Sequence, residues 1–167
     1  MEGIVNKVAD SGIITLDLEI FYPKNEVVEL DLKNFLFMEM ILKEKDFREQ
    51  LDKINWQDYK DKLVAVFCSV DAVIPMWAYM LISAKLSPFT NDIYFGNKSE
   101  AIEKTIEKNI DSISTDEYKD KRVVVKGCGD LEIPSAAFLM IANKLVPVAR
   151  SLMYGEPCST VPVFKKK

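Results

Sequence analysis

Histidine is absent from the 167 residues of this chain. Histidine is the side chain that most often exchanges protons near neutral pH, and it is a common metal ligand. Its absence excludes His-based general acid–base catalysis, Ser–His and Cys–His nucleophile pairs, and metal sites built on imidazole. Any chemistry must therefore use Cys, Asp, Glu, Lys, Tyr or Ser side chains.

Cysteines and long apolar runs are also scarce. The three cysteines are an odd, small number, which predicts reduced thiols in a cytoplasmic protein rather than a disulfide framework. The most apolar stretch, Ile74 to Leu86, contains Lys85 and is too short to span a bilayer. Residues Met1 to Val8 lack the apolar core of a secretory signal, so neither export nor a membrane partner is expected.

Positive charge is not in excess. The formal net charge is −4 and the isoelectric point is about 5.0, so no nucleic-acid partner is expected. Glycine-rich phosphate-binding patterns such as GxGxxG are missing, so no nucleotide cofactor is expected. The chain does have a hydrophobic fraction of 49% and no long Gly/Ser/Pro linker, which predicts one folded domain.

The clearest positive feature is an internal repeat. Residues Ile54 to Gly96 align without a gap on Ile113 to Gly155, a shift of 59 residues (113 − 54), and 16 of the 43 aligned positions are identical. Chance alone would give about 3 identities at ordinary residue usage. Each copy reads as strand, helix and strand, which predicts a right-handed parallel crossover. The predicted elements are Leu63–Phe67, Met76–Leu86 and Ile93–Phe95 in the first copy, and Arg122–Lys126, Ser135–Leu145 and Leu152–Tyr154 in the second.

The N-terminal part follows different patterns. Apolar residues alternate with polar ones over Ile14–Ile20 and Val28–Leu32, which predicts a two-stranded antiparallel hairpin with one wet face. Helical spacing predicts one or two helices between Asn34 and Ile54, and a connecting helix at Glu100–Ile110. The predicted fold is α/β, with a mixed sheet of about six strands. Its predicted segments are the N-terminal hairpin and helices (1–53), the first repeat (54–96), the connecting helix (97–112), the second repeat (113–155) and a Cys-containing loop and tail (156–167).

The three cysteines all follow predicted strands. Cys68, Cys128 and Cys158 lie just beyond strand ends, where parallel α/β sheets bind ligands. If their sulfurs converge, three thiolates would bind a transition metal, zinc or iron. The alternative is that each cysteine is a small buried hydrophobe. The candidates for a fourth ligand are Asp71, Asp130 and Glu156.

Cys128 is the strongest single candidate for catalysis. Its flanking glycines allow close approach of a ligand, and Lys126 together with the following helix N-terminus favours a thiolate. Lys126 and Asp130 are the other catalytic candidates. Because Asp130 and Asp71 occupy equivalent positions in the two repeats, shared structure is the alternative explanation for both aspartates.

Several short runs together resemble a known family. They are Lys126-Gly-Cys-Gly-Asp-Leu-Glu-Ile-Pro, Gly155-Glu-Pro-Cys-Ser-Thr-Val-Pro-Val, Val66-Phe-Cys-Ser and Ile74-Pro-Met-Trp-Ala-Tyr. Over essentially its whole length the chain resembles the bacterial family catalogued as domain of unknown function 2480. The resemblance implies no established activity. It does imply, as partners, the sulfur-mobilising proteins that assemble iron–sulfur clusters, which would suit a cysteine site.

Three hypotheses for the function follow. The first is a cytoplasmic thiolate-site protein that binds a transition metal or assists iron–sulfur and sulfur handling. The second is a non-catalytic interaction or adaptor module that self-associates as a homo-oligomer, because an internally duplicated unit has a pseudo-two-fold surface. The third is a small-molecule enzyme at the crevice between the repeats, using Asp71, Asp130 or Lys126.

Overall fold

A computed structural model describes residues 12–127, 129–156 and 158–167. In this part of the chain there are seven strands and four α-helices, so the α/β class is confirmed. None of the described helices is long and apolar enough to cross a membrane. The strands are β1 (Ile13–Asp17), β2 (Val27–Asp31), β3 (Leu63–Phe67), β4 (Ile93–Phe95), β5 (Arg122–Lys126), β6 (Ser151–Glu156) and β7 (Ser159–Lys165). The helices are α1 (Glu44–Leu51), α2 (Met76–Leu86), α3 (Lys98–Ser112) and α4 (Ser135–Leu145), with short 3-10 helices at Leu18–Phe21, Leu32–Phe35, Trp56–Tyr59 and Asp116–Tyr118.

The chain divides into two compact units. Unit 1 is formed by Met1–Tyr22 and Thr105–Lys167, and unit 2 by Pro23–Lys104. Each unit contains one copy of the repeat and its own sheet, so the prediction of one sheet with about six strands is wrong. That the whole chain forms a single domain remains a prediction.

Unit 2 is built around strand β3. Its sheet has the order β2-β3-β4, and both pairings are parallel. Val64 and Val66 pack in a core with residues of α1 and α2, whereas Leu63 and Ala65 pack with Ala101 of α3. Strand β3 is therefore apolar throughout, as expected for a parallel strand that is covered on both faces.

Unit 1 repeats this plan and adds a strand. Its sheet has the order β1-β5-β6-β7, in which β1, β5 and β6 are parallel and β7 is antiparallel to β6. Helix α4 follows β5 as α2 follows β3 in unit 2. The predicted strands and helices of both repeats are confirmed, although β6 and α3 extend a few residues beyond the predicted ends.

The predicted N-terminal hairpin is wrong. Strand β1 pairs in parallel with β5, and β2 pairs in parallel with β3, so the two strands lie in different sheets. The alternating pattern also extended both strands too far at their carboxyl ends, by three residues in β1 and by one in β2. The carboxylates of Asp17 and Asp31 accept hydrogen bonds at 3.0 Å from the backbone N–H groups of Glu19 and Lys33, and each strand turns there into a 3-10 helix.

Of two further segments, the first agrees with its prediction and the second does not. Between Asn34 and Ile54, where one or two helices were predicted, α1 is the one α-helix, and residues 36–43 form an irregular loop. The segment expected as a C-terminal loop and tail is mostly strand, because β7 pairs with β6 as far as Lys165. An edge strand buries little of its surface, so β7 has no strong apolar pattern that would identify it.

Candidate functional site

Charged side chains gather at the carboxyl ends of β1, β5 and β6 in unit 1. The Lys126 ammonium lies 3.4 Å from a carboxylate oxygen of Asp17 and 3.6 Å from one of Glu156. Parallel pairing sets Asp17 beside Lys126, and Glu156 is the last residue of β6. The structure thus brings together two predicted site residues, Lys126 and Glu156, with one that the sequence analysis missed, Asp17.

These carboxylates determine what Lys126 can do. The hydrogen bond with Asp17 and the attraction of Glu156 raise the pKa of Lys126 above its ordinary value. The amine therefore stays protonated at neutral pH, in the form that can donate a proton or present a positive charge. The catalytic role predicted for Lys126 remains a prediction.

A carboxylate from Glu19 fixes the loop that follows β5. It accepts a hydrogen bond from the backbone N–H of Leu131 at 3.0 Å, and a Cβ added at Gly129 would collide with the same oxygen. In unit 2 the Asp31 carboxylate accepts a hydrogen bond from the backbone N–H of Ser69, also at 3.0 Å. In each unit the loop after the central strand is therefore tied to the segment that contains the N-terminal strand.

The cysteines have different surroundings. Cys68 is half-buried and packs against the core of unit 2, which fits the alternative of a small hydrophobe. Cys158 is exposed in the turn between β6 and β7 of unit 1, and Cys128 lies outside the described residues. Among the residues that the structure describes, no group of three or more Cys, Asp or Glu side chains is placed to hold a metal ion. The zinc or iron site formed by Cys68, Cys128 and Cys158 remains a prediction.

The two aspartates shared by the repeats are exposed. Asp71 and Asp130 lie in the loops between the central strand and the following helix of their units. An exposed carboxylate is solvated by water and does not need a protein partner. Their roles as a fourth metal ligand or as acid–base groups remain predictions.

An open apolar cleft of about 600 Å³ lies on unit 1, between α4 and the strands β5, β6 and β7. None of its ten described lining residues is charged. In its wall the rings of Phe138 and Tyr154 meet edge-on, with their centroids 5.8 Å apart. The size and the apolar lining are typical of protein clefts that bind ligands. The lining includes Val125, Phe138, Leu139, Leu152, Tyr154 and Val163.

The cleft is surrounded by exposed apolar side chains. Leu139 on α4 is 75% exposed, and Val161 and Val163 on β7 are also exposed. Single exposed apolar residues are ordinary on a protein surface, but a group of them around a recess is typical of a binding surface.

Unit 2 presents a similar helix face. Its Tyr79 and Phe95 rings also meet edge-on, with centroids 5.5 Å apart, and Met80, at the repeat position of Leu139, is 71% exposed. In the described part of unit 2, however, β4 has no antiparallel neighbour. In unit 1 that neighbour, β7, contributes Val163 to the lining of the cleft.

A second apolar feature is a turn in unit 2, residues 37–41, which we call the apolar finger. Backbone hydrogen bonds of 2.8 and 3.2 Å join Phe37 and Ile41 in both directions and close the turn. At its tip Met38 and Glu39 have positive φ angles of 51° and 57°, which non-glycine residues rarely adopt. The exposed apolar side chains of the finger are Phe37, Met38, Met40 and Ile41.

Charged residues hold the finger in place. The ammonium of Lys43 lies 3.5 Å from the centroid of the Phe37 ring, and Lys33 lies 3.2 Å from the carboxylate of Glu39. Residues kept in such unfavourable backbone conformations occur often at functional sites. The finger was not expected, because helical spacing predicted one or two helices between Asn34 and Ile54. Four apolar residues among five, without helical spacing, were the available signal.

Comparisons with known proteins give the family of the chain. Neither the search of curated proteins nor the search of solved structures found a match. A family model matches residues 2–166, nearly the whole chain, and so confirms the resemblance inferred from the sequence. The chain therefore belongs to the family described as Protein of unknown function (DUF2480).

Proposed function

We propose that the protein is a non-catalytic interaction module that self-associates. The observation that carries this proposal is the open apolar cleft of unit 1, whose described lining residues are all uncharged. The chain has a net charge of −4, so two copies carry a net charge of the same sign and repel each other weakly as they approach. A charge-free apolar face is where they can approach, and interface cores are depleted in charged residues for the same reason.

The charged cluster of unit 1 favours this proposal over the enzyme hypothesis. Lys126 was one of the named catalytic groups, and it is held as a protonated amine between Asp17 and Glu156. A protonated amine does not act as a general base, whereas an interaction module needs no base.

Sedimentation velocity over a wide range of protein concentrations tests the proposal. We expect the measured mass to exceed the 19.0 kDa of one chain and to rise with concentration. Association should persist at high salt, because apolar contacts are not screened as ion pairs are. A mass of 19.0 kDa at every concentration would contradict the proposal.

The thiolate site is a separate proposal, with zinc or iron as the metal and iron–sulfur assembly proteins as partners. Its test is the metal and labile-sulfide content of protein purified without air, compared between the wild type and Cys128→Ser. Bound metal that is lost in the variant would support the site. A metal-free wild type would contradict it.

A further inference from the structure

We infer that β4 of unit 2 pairs with β4 of a second copy of this chain, antiparallel and across a two-fold axis. The inference rests on the proposed self-association and assigns it a contact on unit 2. Its starting point is the repeat. In unit 1, β6 has β7 as its antiparallel neighbour, whereas β4, the equivalent strand of unit 2, has no such neighbour among the residues that the structure describes.

The outer edge of β4 presents backbone groups that β3 does not use. The carbonyl of Asp92 and the N–H of Gly96 are hydrogen-bonded to β3, at 2.8 and 3.0 Å. Backbone groups alternate in direction along a strand, so those of Ile93 and Phe95 point away from β3. The Lys104 ammonium lies on that side, since it donates to the Phe95 carbonyl at 2.7 Å. A carbonyl oxygen has two lone pairs, so it can accept a second hydrogen bond there.

The side chains beside this edge are apolar and exposed. Phe95 is 66% exposed, whereas its repeat equivalent Tyr154, which has β7 beside it, is 38% exposed. Met80 on α2 is 71% exposed, and its repeat equivalent Leu139 lines the cleft of unit 1 together with β6. An open strand edge flanked by apolar side chains suits another protein strand, because a lipid or a small apolar ligand supplies no backbone hydrogen bonds.

The other strand edges of a second copy fit β4 less well. The strands at the edges of the two described sheets are β1, β2, β4 and β7. Strands β1 and β2 end in Asp17 and Asp31, and a centred antiparallel pairing with β4 would set either carboxylate directly opposite Asp92. Like charges directly opposite each other destabilise a sheet. Strand β7 contains Pro162, which has no N–H to donate to a further strand.

Pairing of β4 with its own copy avoids both problems. In the centred register Ile93 lies opposite Phe95 of the second copy, and the two residues exchange both of their backbone hydrogen bonds. The two-fold axis repeats this exchange on the other side of Tyr94. Asp92 then lies opposite Gly96, which carries no charge.

Helix α2 adds apolar contact to the paired strands. Its positions that correspond to cleft-lining positions of α4 are occupied by Met76, Met80 and Ser83, none of which is charged. The two-fold axis brings this side of α2 beside the same side of its copy. Methionine side chains are flexible, so they adapt to each other without a preformed recess. Because the same surface meets itself, the contact is isologous and closes at a dimer.

Amide hydrogen exchange in the wild-type chain tests the pairing. At protein concentrations where sedimentation shows association, the N–H groups of Ile93 and Phe95 should exchange at least about tenfold more slowly than in the diluted monomer. The N–H of Gly96, which is bonded to β3 within one chain, is the internal control and should be equally protected at both concentrations. Rapid exchange at Ile93 and Phe95 in the associated protein would overturn the inference and leave the proposed function standing. A wild type that is monomeric at every concentration would overturn both.

Two cysteine variants test the register. The two-fold axis sets position 94 opposite itself, with about 4.5 Å between the Cα atoms, which a disulfide can span. Tyr94→Cys, treated with oxidised glutathione, should therefore form a dimer joined through position 94, which mass spectrometry of its peptides identifies. Phe95→Cys is the control, because position 95 lies diagonally from itself at about 7 to 8 Å and should not be joined. Equal cross-linking of the two folded variants, or none in either, would overturn the inference.

A charge on α2 tests the helix contact. Met80→Glu would bury a carboxylate near its own copy, so the concentration-dependent protection of Ile93 and Phe95 should be lost. Met38→Glu, at a side chain that is similarly exposed but belongs to the apolar finger, should keep it. The two side chains are 71% and 74% exposed, so we expect both variants to fold, which circular dichroism checks. Protection that survives Met80→Glu, or that disappears in Met38→Glu, would overturn the inference.

Discussion

At the scale of single residues, Gly96 and Gly155 occupy equivalent positions in the two repeats. Comparing them separates the cost of backbone strain from the cost of a steric clash. Gly96 and Gly155 have φ angles of 127° and 120°, so alanine is strained at both. A Cβ at Gly155 would lie 2.6 Å from the backbone oxygen of Ser159, which is fixed by the hairpin of β6 and β7. A Cβ at Gly96 would lie 2.7 Å from the carboxylate of Glu100, which can rotate away with the loss of the hydrogen bond that it accepts from the Asn97 N–H.

We therefore expect Gly155→Ala to lower the free energy of unfolding by about 1 to 3 kcal/mol more than Gly96→Ala does. Urea denaturation of the two variants measures the difference, and the shared strain cancels in the comparison. Equal losses would show that the Ser159 oxygen yields as easily as the Glu100 side chain.

Tyr118 gives a prediction about pH. Burial, and after it the neighbouring Glu117 carboxylate, raise the pKa of Tyr118 from 10.0 to about 12. Because the unfolded chain then loses the phenolic proton first, the contribution of Tyr118 to stability is complete below pH 10 and is lost as the pH rises toward 12. In Tyr118→Phe this loss is absent, so its free energy of unfolding should fall less steeply between pH 10 and 12 than that of the wild type. Urea denaturation across this range tests the prediction, and equal slopes would contradict it.

The sequence located a candidate side chain where its position depends on one strand alone. Lys126 was expected at the end of a strand, and the structure has it there, whereas Glu156 was expected in the following loop and is the last residue of β6. Asp17 was missed because only the parallel pairing of β1 with β5 brings it to Lys126. Such a contact between distant parts of the chain leaves no periodic signal near either residue.

At the scale of elements, Pro162 protects the outer edge of β7, which pairs with no further strand among the residues that the structure describes. An antiparallel ladder alternates residue pairs whose amides face each other with pairs whose amides face away. The pair that closes the hairpin, Glu156 with Ser159, has amides that face each other. The pair of Met153 with Pro162 is three steps along the ladder, so its amides face away from each other. The nitrogen that lacks a hydrogen therefore faces outward, where proline is tolerated and blocks further strand pairing.

We expect Pro162→Val to open this edge to other strands without disturbing the pairing of β6 and β7. Light scattering at high protein concentration should rise with time in the variant more than in the wild type. Thr160→Val is the control, because it adds an apolar side chain to the same strand and keeps the proline. A similar rise in both variants would show that added apolar surface, and not the opened edge, is responsible.

The positions of the strands and helices were more predictable from the sequence than the pairing of the strands. The strands and helices of the repeats were found because each has its own apolar pattern and appears twice. The partners of β1 and β2 were assigned wrongly, since parallel and antiparallel pairing leave the same alternation in a strand.

At the scale of the whole molecule, the two units are nested in the sequence. Strand β1 joins the second repeat, whereas β2 joins the first, so the continuous segment of unit 2 interrupts unit 1. The internal repeat predicted a duplicated structure. It did not predict this nesting, because β1 and β2 lie outside the duplicated region and either could have joined either copy.

The continuity of unit 2 leads to a prediction about independent folding. The residues of its core, including Leu30, Phe47, Leu51, Val64 and Ile82, all lie within Pro23–Lys104. We therefore expect a fragment of residues 23–112, which keeps the whole of α3, to fold alone and to unfold cooperatively in urea. Its free energy of unfolding should be lower than that of the full chain, because a smaller chain buries a smaller fraction of its surface.

A shorter fragment of residues 23–62 is the control for this experiment. It ends before β3, whose Val64 and Val66 belong to the core of unit 2, so it should remain unfolded. Circular dichroism and urea denaturation distinguish the two fragments. If residues 23–112 are disordered as well, the core of unit 2 is not sufficient for folding, and the single-domain prediction gains support. If they fold, the first repeat together with β2 is a structural unit in its own right, because the longest-range pairings of the fragment, β2 with β3 and β3 with β4, are all retained.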